Sequence, residues 1–269
     1  MNILTAVFLG VVQGLTEFLP VSSSGHLVLF QRIFGIAEPA LFFDTLLHIG
    51  TLAAVFTVLR RDILAILKRP IQPLTAYLLL ATLPTVIVAL VFKDAIERAF
   101  ASGSFLGFAF LITAALLTVS ELLSRHGAAI AEAAGKRINW VDALIVGLLQ
   151  GLAIIPGVSR SGATLSGALS RRLDRDFAAR FSFLLSIPAI LGALVLQLKD
   201  IAGGAAPEAG GIGAGALAAG TASAAVVGFF AVRLMLKIVR EKSLLGFAAY
   251  TAVLGVLTLV DQNFTHLVF

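Results

Sequence analysis

The chain has 269 residues, of which 59% are hydrophobic and 13% charged, and its mean hydropathy is +1.01. No soluble globular domain hides that share of apolar surface, so the composition excludes one and indicates a polytopic α-helical membrane protein. The formal net charge of +5 is spread in small groups between apolar runs, which marks loops rather than a nucleic-acid surface, and the absence of cysteine excludes disulfides and thiolate metal sites.

The first apolar stretch, 3–30, has no Lys or Arg before Arg32. It therefore lacks the basic start of a secretory signal peptide and is read as part of the mature protein. PVSSSGH (20–26) interrupts it, leaving halves of roughly 12–15 residues. Such halves are too short to cross about 30 Å of hydrocarbon at about 1.5 Å per residue. A re-entrant hairpin or broken helix is predicted there. Full spans follow at 42–59, 73–92 and 104–123. A second interrupted stretch, 140–169, carries PGVSRSG at 156–162, and spans follow at 179–198, 212–236 and 244–261. Irregular backbone at membrane depth must be buried in protein or line a cavity. The Gly/Ala-rich stretch 202–220 is read as a loose outer loop that runs into a small-residue packing face.

Shifting the sequence by 137 residues aligns 2–25 with 139–162 without a gap, and ten of the 24 positions are identical. With one inserted residue, FDTLLHI (43–49) aligns with FSFLLSI (181–187). Two copies of one unit are predicted, 1–124 and 138–269, each a broken hairpin followed by three spans. Three is odd, so the second copy is inverted relative to the first, and the working site is expected near the midplane where the broken segments meet. An extracytoplasmic N-terminus places 15 of the 20 basic residues on the inner side: Arg60, Arg61, Lys68, Arg69, Arg125, Lys136, Arg137, Arg171, Arg172, Arg175, Arg180, Arg233, Lys237, Arg240 and Lys242. The positive-inside rule therefore predicts that both termini are extracytoplasmic.

A serine-rich turn followed by Gly and a new helix is an N-cap signature. Each tip is expected to bring a helix N-terminus, with free N–H groups and partial positive charge, to mid-membrane, where it suits an anion. Two such ends could hold a diphosphate; the plainer reading is a packing kink. The copies share their small residues but differ in the ionisable ones: Glu17 against Ile154, Ser23 against Arg160, His26 against Ala163.

A carboxylate, a hydroxyl, an imidazole and a guanidinium are the inventory for attack on a phosphate anhydride. Glu17 is a base or cation ligand, or else a neutral structural carboxyl. Gln13 lies one turn before it and offers a neutral oxygen to the same Mg²⁺ or Ca²⁺. Arg160 suits phosphate or a salt bridge with Glu17. His26 is read as acid, base or nucleophile, or as a structural histidine. Ser23 alone among the tip serines has no serine at the matching position, so it is the preferred direct participant. Ser22, Ser24, Ser159 and Ser161 are caps and phosphate donors beside Gly25 and Gly162, and Thr164 adds a hydroxyl. Asp44 and His48 share one face of the first full span, either as support for the site or as a structural pair. A carrier that moves a lipid phosphate across the bilayer could use the arginine and serines alone.

QGLTEFLPVSSSGH (13–26) and PGVSRSGAT (156–164), with FSFLLSIP (181–188) following, resemble the two signature regions of the bacterial undecaprenyl-diphosphate phosphatases, the bacitracin-resistance family. The resemblance covers nearly the whole chain. It implies an enzyme of the bacterial cytoplasmic membrane that removes the terminal phosphate of a C55 isoprenoid diphosphate and returns the monophosphate carrier to peptidoglycan and wall-polymer synthesis. It also implies a divalent cation, an active site open to the extracytoplasmic side, and resistance to bacitracin, which acts on the substrate rather than on the protein. A homodimer is left open. The family's paired-acid motif falls on Gln13 and Glu17, its serine-histidine motif on Ser22, Ser23, Ser24 and His26, and its arginine motif on Pro156 to Gly162. Many members carry a glutamate where this chain has Gln13, which leaves Glu17 as the sole tip carboxylate.

Overall fold

A computed structural model describes residues 1–36, 41–134, 137–202 and 212–269. Among the described residues the protein is helical without strands: α1 (Ile3–Thr16), α2 (Ser23–Ile33), α3 (Leu41–Val58), α4 (Arg60–Lys68), α5 (Pro73–Val91), α6 (Lys93–Ser102), α7 (Leu106–Ala134), α8 (Trp140–Leu152), α9 (Arg160–Ser170), α10 (Arg175–Ala202), α11 (Ala214–Glu241) and α12 (Leu245–Val260). A π-turn, Asp261–Thr265, closes the last helix.

Five of the helices are long and apolar enough to span a bilayer, at Pro73–Val91, Leu106–Ser124, Arg175–Lys199, Ala214–Glu241 and Leu245–Thr265; α3 meets the same test only when joined to α4, from which it is bent. All six predicted spans thus correspond to observed helices, and the protein is a multi-pass membrane protein. Three helices overrun the predicted limits, most at the end of α7, then at the end of α11 and at both ends of α10. Hydropathy marks the width of the hydrocarbon, whereas a helix continues until its backbone is capped. The chain bends by 79° between α3 and α4. Arg60, Arg61 and Lys68 cannot continue into hydrocarbon, so α4 turns aside as an amphipathic segment. The amphipathic α6 had no counterpart in the sequence reading, because KDAIERAFAS (93–102) mixes charges into a short apolar pattern.

Both interrupted stretches are broken helices. α1 starts at Asn2, whose side chain accepts the Thr5 N–H at 2.8 Å, and ends at Glu17; α8 starts at Asn139 in a capping box with Asp142. Each packs against a span from the other half of the chain, α1 on α11 and α8 on α5. Close approach requires glycine in both places. A Cβ at Gly10 would collide with the Gly220 carbonyl, and one at Gly147 with the Ala81 carbonyl. α3 pairs with α10 and with α11, α5 with α10, and α7 with α12.

The largest core cluster among the described residues includes Phe18 of the first tip with Leu117, Leu165, Phe183 and Met235. Phe18 meets Phe183 edge-on with centroids 5.4 Å apart. Ion pairs join helix ends through predicted inner-side arginines: Arg171 to the fully buried Asp142 at 2.7 Å, Arg175 to Glu121 at 3.3 Å and Arg180 to Asp62 at 3.0 Å. Lys136 and residues 203–211 of the predicted outer loop lie outside the described residues, as does the Arg125 side chain.

Candidate active site

The two breaks meet each other. After Glu17 the chain turns through Phe18, Leu19, Pro20 and Val21, and α2 starts at Ser23 with Ser22 as its N-cap; the Ser22 Oγ accepts the Gly25 N–H at 3.2 Å. The second tip repeats this: Ser159 caps α9 and its Oγ accepts the Gly162 N–H at 3.0 Å. Of the four serines read as caps, Ser22 and Ser159 cap the helices, whereas Ser24 and Ser161 make contacts between the tips instead. The tips also interlock. The Gly157 N–H donates to Ser24 Oγ at 3.3 Å, and Ser161 Oγ donates to the Leu19 carbonyl at 3.1 Å.

Glu17 is the centre of the junction. Its side chain is 3% exposed, yet it accepts hydrogen bonds from Ser23 Oγ at 2.6 Å, Arg160 Nη2 at 2.5 Å and Gln13 Nε2 at 2.9 Å. His48 Nε2 stands 3.4 Å from the same carboxylate. A buried carboxylate needs such partners, because desolvating it alone is costly. Arg160 Nη1 is buried and has no hydrogen-bond partner among the described residues. A guanidinium with one nitrogen committed and one spare is set to take a second anion.

A cavity of about 400 Å³ opens above this junction. Glu17, Ser23, Ser24, Ser159 and Arg160 line its polar floor, with Asp44 and His48 from α3. Its walls are apolar, from Ala89 on α5, Ile96 and Phe100 on α6, and Ala189, Ala193 and Leu196 on α10; Lys93 and Glu97 of α6 also line it. A polar floor under greasy walls suits an amphiphile whose head is anionic.

The other residues singled out from the sequence are spread around this floor. Ser22, Gly25, Ser161 and Gly162 are buried beside it and engaged in the cap and tip contacts above. Thr164 is fully buried, donates to the Arg160 carbonyl at 2.9 Å and lies 2.6 Å from Ser182 Oγ. None of these five lines the cavity, because capping and turn hydrogen bonds hold them inward. His26 is likewise absent from the cavity lining. Its Nδ1 lies 2.7 Å from the Ser22 carbonyl oxygen and its Nε2 2.7 Å from the Tyr250 hydroxyl, so both ring nitrogens are engaged.

The histidine beside Glu17 is His48 rather than His26. Its Nδ1 is held at 2.7 Å by the Asp44 carbonyl, while Asp44 Oδ1 accepts from Gln31 at 2.7 Å. The signal was two polar residues, four apart, on one face of an apolar span. Gln13 Oε1 is buried without a partner among the described residues, and no group of three or more His, Asp or Glu with metal-binding geometry occurs among them. Gln13 and Glu17 therefore fit a cation that takes most of its oxygen ligands from phosphate and water, as Mg²⁺ commonly does.

The family of bacitracin resistance protein BacA matches residues 6–257. The chain is 49% identical over 262 residues to an undecaprenyl-diphosphatase of Carboxydothermus hydrogenoformans, covering 97% of this chain and 98% of that protein. It is 43% identical to undecaprenyl-diphosphatase 4 of Bacillus thuringiensis, with the same coverage. It is 41% identical over 282 residues to an undecaprenyl-diphosphatase of Methanosphaera stadtmanae, again covering 97% and 98% of the two chains. On this family match and these full-length similarities, the chain belongs to the bacitracin resistance protein BacA family.

Proposed function

We propose that the protein hydrolyses undecaprenyl diphosphate to undecaprenyl phosphate and inorganic phosphate. This returns the lipid carrier to peptidoglycan and wall-polymer synthesis and underlies bacitracin resistance. The observation that carries the reading is the Ser23–Glu17–Arg160 cluster on the floor of a cavity with apolar walls. The relatives' name is that of a hydrolase, and the carboxylate against Ser23 is a feature that a lipid carrier does not need.

In this mechanism Arg160 and the N-terminus of α9 hold the terminal phosphate. Ser23 Oγ attacks its phosphorus and passes its proton to Glu17 Oε2, 2.6 Å away. The bond from the terminal phosphorus to the bridging oxygen breaks, undecaprenyl phosphate leaves, and water then cleaves the serine phosphate. Arg160 neutralises charge that builds on the equatorial oxygens. A divalent cation bound by Glu17 and Gln13 would neutralise the diphosphate and polarise a phosphoryl oxygen. His26 acts in this scheme by holding the first tip rather than by moving a proton. The tail leaves between α5 and α10 along Ala89, Ala189 and Ala193.

The scheme includes two inverted copies, 1–124 and 138–269, whose broken hairpins are re-entrant. Supporting it are the exchanged packing of α1 on α11 and α8 on α5 and the matching caps at Ser22 and Ser159. Both termini and the cavity mouth face the extracytoplasmic side of the inner membrane. The cavity-lining Lys93 belongs to the outer set by the positive-inside count, which supports that orientation.

The test is phosphate release from undecaprenyl diphosphate by purified protein in detergent, with Mg²⁺ or Ca²⁺ and then with EDTA. The expected result is release that depends on the cation. Folded protein that releases no phosphate with either cation would overturn the reading.

A further inference from the structure

We propose that Tyr250, on the last helix, is a positioning residue for the reaction: through His26 it holds Ser22 in an unfavourable backbone conformation that aims Ser23 at Glu17. The inference rests on the phosphatase reading above and adds a residue to it.

The starting observation is an asymmetry between the tips. In the second tip the positive φ falls on Gly157 at 93°, where it costs little, and Ser159 keeps an ordinary φ of −71°. In the first tip the aligned residue is Pro20, which is locked to negative φ. The chain there takes its positive φ at Ser22 instead, at 72° with ψ 96°. Ser22 carries a Cβ, and a conformation of this kind persists only where its surroundings enforce it. It also immediately precedes Ser23, so the direction of the Ser23 hydroxyl depends on it.

His26 supplies the restraint. The Ser22 carbonyl accepts two hydrogen bonds from this one residue, from its backbone N–H at 3.2 Å and from its ring Nδ1 at 2.7 Å. A carbonyl only accepts, so Nδ1 carries the proton. In the neutral ring Nε2 is then an acceptor, and the Tyr250 hydroxyl donates to it at 2.7 Å. Tyr250 also stacks on the imidazole, with centroids 5.8 Å apart and planes 10° from parallel, while Phe110 meets it edge-on at 5.6 Å. The second tip has Ala163 where the first has His26, and there the capping serine needs no such restraint. That tip is braced from α7, where Thr113 Oγ1 accepts the Ser159 N–H at 2.9 Å. Each half thus receives a brace from a neighbouring span, and only the brace on the first tip carries strain.

Tyr250 does not line the cavity, so its influence on turnover runs through His26. The test measures kcat and KM for undecaprenyl diphosphate in Tyr250→Phe, His26→Ala, the double variant, and Tyr250→Phe placed on Ser22→Gly. The expected result is a kcat lowered about five- to tenfold in Tyr250→Phe, the effect of about one hydrogen bond, at unchanged KM. The double variant should be no slower than His26→Ala, and Tyr250→Phe should cost nothing further on Ser22→Gly, where glycine adopts the positive φ freely. If Tyr250→Phe does not accumulate, His26→Gln removes the imidazole through which Tyr250 acts and must lower kcat by at least as much at unchanged KM. A wild-type kcat in Tyr250→Phe, a matching rise in KM, or losses that multiply in the double variant would overturn the inference. Wild-type protein without activity would instead overturn the phosphatase reading.

Discussion

Replacing Glu17 with Gln removes a charge and a proton acceptor while keeping the shape of the side chain. The carboxylate accepts from Ser23, Arg160 and Gln13 at 2.6, 2.5 and 2.9 Å. An amide cannot take the Ser23 proton, and a lost general base typically lowers kcat by about 10²- to 10⁴-fold, or about 3–5.5 kcal/mol of barrier. The variant also leaves Arg160, 17% exposed, without its counter-ion. Breaking a buried pair costs about 3–5 kcal/mol of stability, and access to the cavity puts this one near about 3 kcal/mol. Two losses are therefore expected together: turnover reduced at least about a hundredfold, and a lower midpoint of thermal unfolding in detergent. The assay is steady-state phosphate release from protein shown to be folded by gel filtration. Turnover within about threefold of wild type, less than about 1 kcal/mol of barrier, would remove Glu17 from the chemistry and the Ser23–Glu17 contact from the mechanism.

Arg160→Lys keeps the charge but not the planar fork. We expect kcat/KM to fall about a hundredfold while thermal stability holds, because an ammonium still pairs with Glu17; unaltered kinetics would show that charge alone suffices. Gly10→Ala places a methyl group against the Gly220 carbonyl. It should cost about 1–3 kcal/mol of stability and slow turnover by displacing the end of α1 that carries Glu17, as read by thermal unfolding and kcat; unchanged stability would contradict the packing. Asp142→Asn weakens the pair with Arg171, whose side chain is 37% exposed. After discounting for solvent the loss is about 1–2 kcal/mol of stability, with KM unchanged, because the pair is remote from the cavity; a rise in KM would contradict that separation.

The spans were legible because each is an apolar run with its own composition, and the tips because Pro, Ser and Gly interrupt such runs. The caps at Ser22 and Ser159 were legible for the same reason: they are local, set by a side chain and a backbone three residues on. The floor of the cavity was only half legible. Glu17, Ser23 and Arg160 announce themselves as polar groups in hydrocarbon, but their meeting joins residues of two separate breaks, Glu17 and Arg160 lying 143 residues apart in sequence. His26 stood out by its place one turn after the tip serines and His48 by its pairing with Asp44, but neither pattern tells which ring reaches Glu17. Which one approaches Glu17 is decided by the rotation of α2 and α3, and that is set by tertiary packing. Tyr250 gave no local sign, because its partner lies 224 residues away.

The measurement that tests the central claim most directly is the turnover of undecaprenyl diphosphate by purified Ser23→Ala beside the wild-type protein, in detergent with saturating Mg²⁺. The mechanism predicts phosphate release by the wild type and none above background in a variant that is folded and still binds substrate. Release by Ser23→Ala at the wild-type rate would show that the attacking oxygen is not that of Ser23.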